Sequence, residues 1–204
     1  MPRRRDDVAA QQTELFSSAP NLPDGFVYSP DVLTTDEEKE LVEEIAHLTF
    51  TEVKMHGVTA RRRAVHLGYS YDFQAFAITP AADIPAFLRP LRARAADLAA
   101  IPVADFREAL ITEYAPGAGI GWHRDAPQFG IVVGVSLLSN CTMHFRPWPN
   151  RANEAKAKTV TAKADLARRS AYLLAGVARQ KWQHRIPPMK SLRYSITFRT
   201  VRTS

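Results

Sequence analysis

Two amphipathic helical stretches followed by a succession of short alternating strands predict an α+β protein with a β-sandwich or jelly-roll core. Three observations carry this prediction. Helical periodicity is confined to residues before Ala100, and from Phe106 onward apolar residues alternate in short runs. Prolines, glycines and asparagines punctuate those runs, at Pro116-Gly117, Pro147, Pro149-Asn150, Gly176 and Pro187-Pro188. The chain has 204 residues, 46% of them apolar, which suits one substantial domain and not two.

Residues 1–20 are polar and begin with Arg3-Arg4-Arg5. They read as a mobile basic arm, with residues 21–204 as the single domain. Pro23-Asp24-Gly25 turns into a short strand at Phe26-Val27-Tyr28. Thr35-Asp36-Glu37-Glu38 has the form of a capping box, and Leu41, Val42, Ile45 and Leu48 follow at helical spacing. This helix should end near His47, a helix-end residue rather than a ligand. Between Phe50 and Phe76, Val53, Met55, Val65, Leu67, Tyr69, Tyr71 and Phe73 alternate as strands, punctuated by Arg61-Arg62-Arg63. Ile84-Pro85 opens a second helix whose apolar face is Phe87, Leu91, Ala95 and Leu98. Strands are then expected at 108–114, 130–139, 141–148, 159–163, 170–175 and 192–201.

The formal charge is +6 and the pI about 9.7, but the distribution says more. Seven of the 21 acids lie between Asp31 and Glu44, while bases gather at 3–5, 61–63, 89–94 and 146–190. Such segregation suits a polyanion-binding face. No apolar run is long enough to span a membrane, and the N-terminus lacks the apolar core of a signal peptide. Cys141 is the one cysteine, so no internal disulfide can form. A cytoplasmic monomer is expected.

The chemistry concentrates at Gly119-Ile120-Gly121-Trp122-His123-Arg124-Asp125. In an extended segment His123 and Asp125 point the same way and can grip one ion. Two histidines and a carboxylate with open positions suit non-haem Fe(II) oxygen chemistry. The third ligand must lie downstream, at His144 or His184. His144 sits in a strand pattern, where a histidine is more often structural. His184 stands at a rim where a helical turn meets a strand. Nine residues beyond it begins Arg193-Tyr194-Ser195-Ile196-Thr197-Phe198-Arg199, with Arg193, Ser195, Thr197 and Arg199 on one face. Buried arginines need anionic partners, and a dicarboxylate co-substrate provides two.

Together these segments resemble the AlkB family of Fe(II)- and 2-oxoglutarate-dependent dioxygenases. The resemblance runs from about Phe26 to Arg199. It is strongest at 114–125, Ser136-Leu137-Leu138-Ser139, Met143-His144-Phe145-Arg146, 176–184 and 193–199. It implies a double-stranded β-helix core, with Fe(II) on His123, Asp125 and His184. It also implies that Arg193, Tyr114 and Ser195 bind the distal carboxylate of 2-oxoglutarate, and that Arg199 meets the carboxylate chelating the metal. Thr112 and Ser195 stand where the family often has asparagine, and Pro127 stands where some repair members carry a second acid. The implied activity is oxidative demethylation of alkylated bases in DNA or RNA, of the 1-methyladenine or 3-methylcytosine type, with O2 as oxidant. The alternatives are action on modified tRNA bases, or a small-molecule or protein hydroxylase.

By position, the segment from Arg61 to Tyr71 matches the family's variable substrate lid. Arg61, Arg62 and Arg63 would hold phosphates. His66 belongs to the same segment, and the ring of Tyr69 or Tyr71 would stack on the base, which contributes about 1–3 kcal/mol. The competing reading is an ordinary strand with a buried aromatic face.

Overall fold

A computed structural model describes residues 22–55, 58–72, 77–149 and 162–202. The expected arm at 1–20, Phe73 and the start of the strand expected at 159 lie outside these residues. Strand β1 (Phe26–Ser29) precedes helix α1 (Thr35–Ala46), β2 (Thr51–Met55) and β3 (Val58–Leu67). A hairpin of β4 (Tyr69–Asp72) and β5 (Ala77–Pro80) follows, then a 3-10 turn (Ala86–Leu88) that runs into α2 (Arg89–Ala99). After β6 (Phe106–Tyr114) come β7 (Ile120–His123), β8 (Phe129–Leu137), β9 (Cys141–Pro147), β10 (Ala162–Leu166) and β11 (Ala171–Leu174). Short helix α3 (Gly176–Lys181), β12 (Trp182–Ile186) and β13 (Arg193–Val201) complete the chain.

The strands make a seven-stranded sheet, β1-β11-β8-β13-β6-β3-β2, and a four-stranded sheet, β10-β9-β12-β7, besides the hairpin. Alternation gives the large sheet two different faces. Ile111, Val133, Val135, Ile196 and Phe198 point to one side and pack on Leu41 and Ile45 of α1 and Leu91 and Ala95 of α2. Tyr114, Val132, Tyr172 and Leu174 point to the other and meet Met143, Phe145, Leu166 and Ile186 of the small sheet. The architecture is therefore the expected α+β jelly roll, a two-sheet sandwich with helices on one outer face. Ile196 and Phe198 are fully buried, and truncating either to alanine should cost about 2–5 kcal/mol.

Three local expectations are corrected. The capping box uses Thr34 and Glu37, one residue earlier than expected: Thr34 Oγ accepts from the Glu37 N–H, and Glu37 accepts from the Thr34 N–H. Glu38 is unavailable for capping because it is buried. It accepts from the Leu138 N–H and from Arg168, tying α1 to two loops of the sandwich. Second, Arg61-Arg62-Arg63 does not break the strand. It lies within β3, which pairs with β6 from Arg63↔Glu113 to Leu67↔Ala109. The break falls at Gly68, whose φ of +75° admits little else, and where a Cβ would stand 2.1 Å from the Arg107 carbonyl oxygen. Third, the expected set of strands gains two short ones, β7 of four residues and β12 of five.

Candidate active site

The inner face of the large sheet carries an unusual polar row. On β13, Arg193, Ser195, Thr197 and Arg199 are all buried and face the small sheet, while Tyr194, Ile196 and Phe198 face the helix side. This matches the alternation read from the sequence. On β6 the inward residues are Glu108, Leu110, Thr112 and Tyr114, and on β3 they are Arg62, Ala64 and His66. A cavity of about 260 Å³ opens between these strands and the small sheet.

At one end of this cavity β7 and β12 bring His123 and His184 directly opposite each other, with ring centroids 4.3 Å apart. Asp125 follows two residues after β7 ends, and its Oδ2 lies 3.9 Å from His184 Nε2. Among the described residues no three such side chains are closed into a finished ion cage. The predicted trio nevertheless converges on the cavity, which all three line. His123 Nδ1 sits 2.9 Å from the Gly121 carbonyl, an arrangement that fixes the ring and leaves Nε2 as the free donor. His144 stays apart. It lies on β9 outside the cavity, with Arg185 Nε donating to its Nδ1 at 3.2 Å.

The electrostatics favour the protonation states that a metal requires. Burial lowers the His184 pKa to about 3, helped by the adjoining His123 and opposed by Asp125. Burial likewise lowers that of His123. Burial works to raise Asp125, but Arg199 and then the two imidazoles outweigh it and hold the carboxyl well below its usual range. Two neutral imidazoles and an ionised carboxylate therefore face one another at neutral pH.

Arg199 has two partners within the protein. It is paired with protein carboxylates, Nη1 to Glu108 at 3.0 Å and Nη2 to Asp125 at 2.8 Å. The reason is register: Glu108 lies directly opposite Arg199 on β6. Glu108 is fully buried and its other oxygen meets His66 Nδ1 at 3.1 Å. A continuous chain of polar contacts thus runs from His66 in the cavity wall, through Glu108 and Arg199, to Asp125.

Arg193 is the opposite case. It is fully buried, its Nη2 donates to Ser136 Oγ at 2.7 Å, and its guanidinium lies 5.3 Å from the Tyr114 ring centroid. Its Nε and Nη1 have no partner among the described residues. Each buried unmet donor costs about 1–3 kcal/mol, so an anion facing this guanidinium would be stabilised. Tyr114, Thr112 and Ser195 line the cavity beside it.

The segment expected as a lid is divided between the cavity and its surroundings. Arg62, His66 and Tyr71 line the cavity, and Tyr71 also packs edge-on against Phe129. Arg63 turns away into a two-point pair with Glu113 and stacks on Phe50. Tyr69 receives a hydrogen bond from Arg107, which also covers its ring, and neither Tyr69 nor Arg61 lines the cavity. Pro127 does not line it either, though Ala126 does.

Sequence reasoning missed Glu108, Tyr172 and Arg179. Glu108 had a signal: an acid in the apolar strand pattern, in phase with Thr112 and Tyr114, must be buried with a partner. Tyr172 lines the cavity and lies across Gly134, where a Cβ would stand 2.3 Å from the ring. Arg179 fastens the turn after Asp125, donating to the Ala126 and Phe129 carbonyls at 2.6 and 2.8 Å.

A family model described as the 2OG-Fe(II) oxygenase superfamily matches residues 25–199. The chain belongs to this superfamily. The oxygenase is AlkB-like in sequence, being 27% identical over 221 residues to the alkylated DNA repair protein ALKBH8 homolog of Arabidopsis thaliana. That match covers 92% of this chain and 61% of the plant protein, so the oxygenase spans less than two thirds of that relative. It is also 28% identical over 200 residues to the uncharacterized protein L905 of Acanthamoeba polyphaga mimivirus, covering 90% of this chain and 87% of that one. The structure of OsALKBH1 matches with a TM-score of 0.62 at 16% identity, over 86% of this chain and 96% of that chain. A Pseudomonas putida prolyl-4-hydroxylase matches with a TM-score of 0.58 at 12% identity, over 88% and 94%. At these identities the two structures speak for the shared jelly-roll fold alone.

The superfamily uses Fe(II) and 2-oxoglutarate, and the residues present fit both. An ionised carboxylate between two neutral imidazoles is a donor set for Fe(II). The unmet guanidinium of Arg193 fits one carboxylate of 2-oxoglutarate.

Proposed function

We propose that this oxygenase removes alkyl groups from the bases of nucleic acid. In this reading His123, Asp125 and His184 hold Fe(II). Arg193, with Tyr114, Thr112 and Ser195, grips the distal carboxylate of 2-oxoglutarate. When bound, iron and 2-oxoglutarate supply an oxidation by O2 that hydroxylates a substrate C–H bond and releases succinate and CO2. On an N-methyl group the hydroxylated product falls apart to formaldehyde and the bare base. The protein's own residues position the reactants. Glu108 and Arg199 hold Asp125 in place, Arg179 fixes the turn behind it, and Tyr172 and Phe129 line the cavity with apolar surface.

One observation carries the nucleic-acid reading. Among the described residues Asp125 is the single acid lining the cavity, and Arg199 offsets it, while Arg62 and Arg124 add positive charge and Trp122 and Tyr71 add rings. A flat base entering with its phosphates finds stacking surfaces and cations there. Enzymes that act on a base take it out of the stack into such a pocket.

The test is mass spectrometry of formaldehyde and base products from a panel of methylated DNA and RNA oligonucleotides, tRNA included. The expected result is stoichiometric formaldehyde and repaired base with at least one substrate. Succinate formation stimulated by a peptide or small molecule, with no base product from any oligonucleotide, would overturn the reading.

A further inference from the structure

The four-stranded sheet has a second face, turned away from the cavity. The alternation that sends Met143, Phe145 and His184 inward sends His144, Arg146 and Arg185 outward. Trp122 lies under two of these side chains. The Arg146 guanidinium stands 4.5 Å from its ring centroid and that of Arg185 4.9 Å. Two residues further along both chain segments a second pair forms, with Arg124 3.9 Å from the centroid of the partly exposed Trp148. Across the sheet, Arg185 is the register partner of His144, and His144 that of the exposed Lys163. Neighbouring strands lie about 5 Å apart, so these groups form a row.

Among the described residues no carboxylate forms an ion pair with Arg146, Arg185 or Lys163. The nearest acid in register, Asp165, accepts a hydrogen bond from Thr142 Oγ1 at 2.6 Å. The crowding has a cost: burial first, then the charges of Arg185 and Lys163, push His144 below its usual pKa. Cations gathered at their own expense, with the arginines held over indole rings, are preorganised for phosphate oxygens. A protein partner would want an apolar centre to the contact, and among the described residues Trp148 is the one large exposed apolar side chain beside this row. Trp122 and Arg124 also line the cavity, so the face begins at the cavity rim.

We infer that this outer face docks the phosphodiester backbone of a nucleic-acid strand, with phosphates on Arg146, Arg185 and Lys163 and the strand leading over Trp122 toward the cavity. The inference rests on the nucleic-acid reading above and adds a path for the strand.

The experiment is fluorescence anisotropy with labelled single-stranded DNA and RNA of about 16 nucleotides, titrated between about 50 and 200 mM salt. The Arg146→Gln/Lys163→Gln variant should bind about tenfold more weakly at low salt. Its slope of log affinity against log salt should fall by about 1.4, since each lost phosphate contact on a single strand removes about 0.7. The Lys39→Gln/Arg89→Gln variant, which removes the same charge from the helical side, should change affinity less than about twofold. Lys163→Glu, at an exposed position, supplies the same readout with the smallest risk to folding. If wild type binds and both double variants bind alike, the surface assignment is wrong and the nucleic-acid reading stands. If wild type binds no oligonucleotide at any salt, both fall together. If polyglutamate of equal charge competes as well as the oligonucleotide, the face serves an acidic protein segment and the inference is overturned.

Discussion

Glu108 reaches Asp125 only through another side chain. It anchors Arg199, which anchors Asp125. Replacing it by glutamine leaves a buried guanidinium with one carboxylate in place of two, at a cost of about 3 kcal/mol. Glu108→Gln should therefore lower the melting temperature and weaken iron binding, read by iron titration. A variant with unchanged iron affinity would reduce Glu108 to a structural pair. Three sharper substitutions test the ligands: His123→Ala, Asp125→Ala and His184→Ala should each abolish succinate formation while circular dichroism stays folded. His144→Ala should keep activity, and loss of iron from that variant alone would move the third ligand to β9. Arg193→Lys should mainly raise the KM for 2-oxoglutarate, because lysine keeps the charge but loses the planar fork. An unchanged KM would place the distal carboxylate elsewhere. The sequence made His123, Asp125, His184 and the β13 arginines legible because strand alternation is local. The partner of Arg199 was not legible, because register between β13 and β6 is settled by pairing across 91 residues.

At the scale of elements, Glu38 fastens α1 to the sandwich. Burial works to raise its pKa, but the hydrogen bond from Arg168 and that from the Leu138 N–H prevail and lower it. A carboxyl lowered on folding contributes stability above its unfolded value, about 4.3, and that contribution disappears as pH falls through the folded value. Arg168 is partly exposed, so solvent screens part of the effect. Glu38→Gln should cost about 2 kcal/mol at neutral pH. The melting-temperature gap to wild type should be flat above about pH 6 and close below about pH 4. A gap independent of pH would mean that packing, not charge, is lost. The segment from β3 to β4 gives a second test. Tyr71 lines the cavity and Tyr69 does not, so Tyr71→Ala should slow base repair about tenfold, or about 1.4 kcal/mol. Tyr69→Ala should leave repair within about twofold. Equal losses would mean that the strand acts as a unit. In the sequence the two tyrosines looked equivalent, since one alternating pattern ran through Gly68. Their surroundings separate them: Tyr71 packs against Phe129, while Tyr69 is held by Arg107.

For the whole molecule, the sandwich has one order of construction: apolar residues bind helices to the large sheet, and a polar row faces the small sheet. The first part was readable from periodicity alone. The second sheet was harder, because β7 is short and its partner β12 lies some sixty residues away, opposite it at His123↔His184. That same pairing has a kinetic consequence. Among the described residues β7 ends its sheet, hydrogen-bonded to β12 alone, and the register of the ladder shifts between His184 and Ile186. The strand that delivers His123 is thus held by one short zip, and local opening begins where such ladders are fewest. Backbone amides of 120–123 should exchange with deuterium ahead of those in β13, which is flanked on both sides. Loading with Fe(II) should slow the β7 amides and leave β13 unaltered; equal protection throughout would show that the ion does not depend on this edge. With His123 as a ligand, release of the ion would be a peeling of four residues, and the sandwich would not have to open for it.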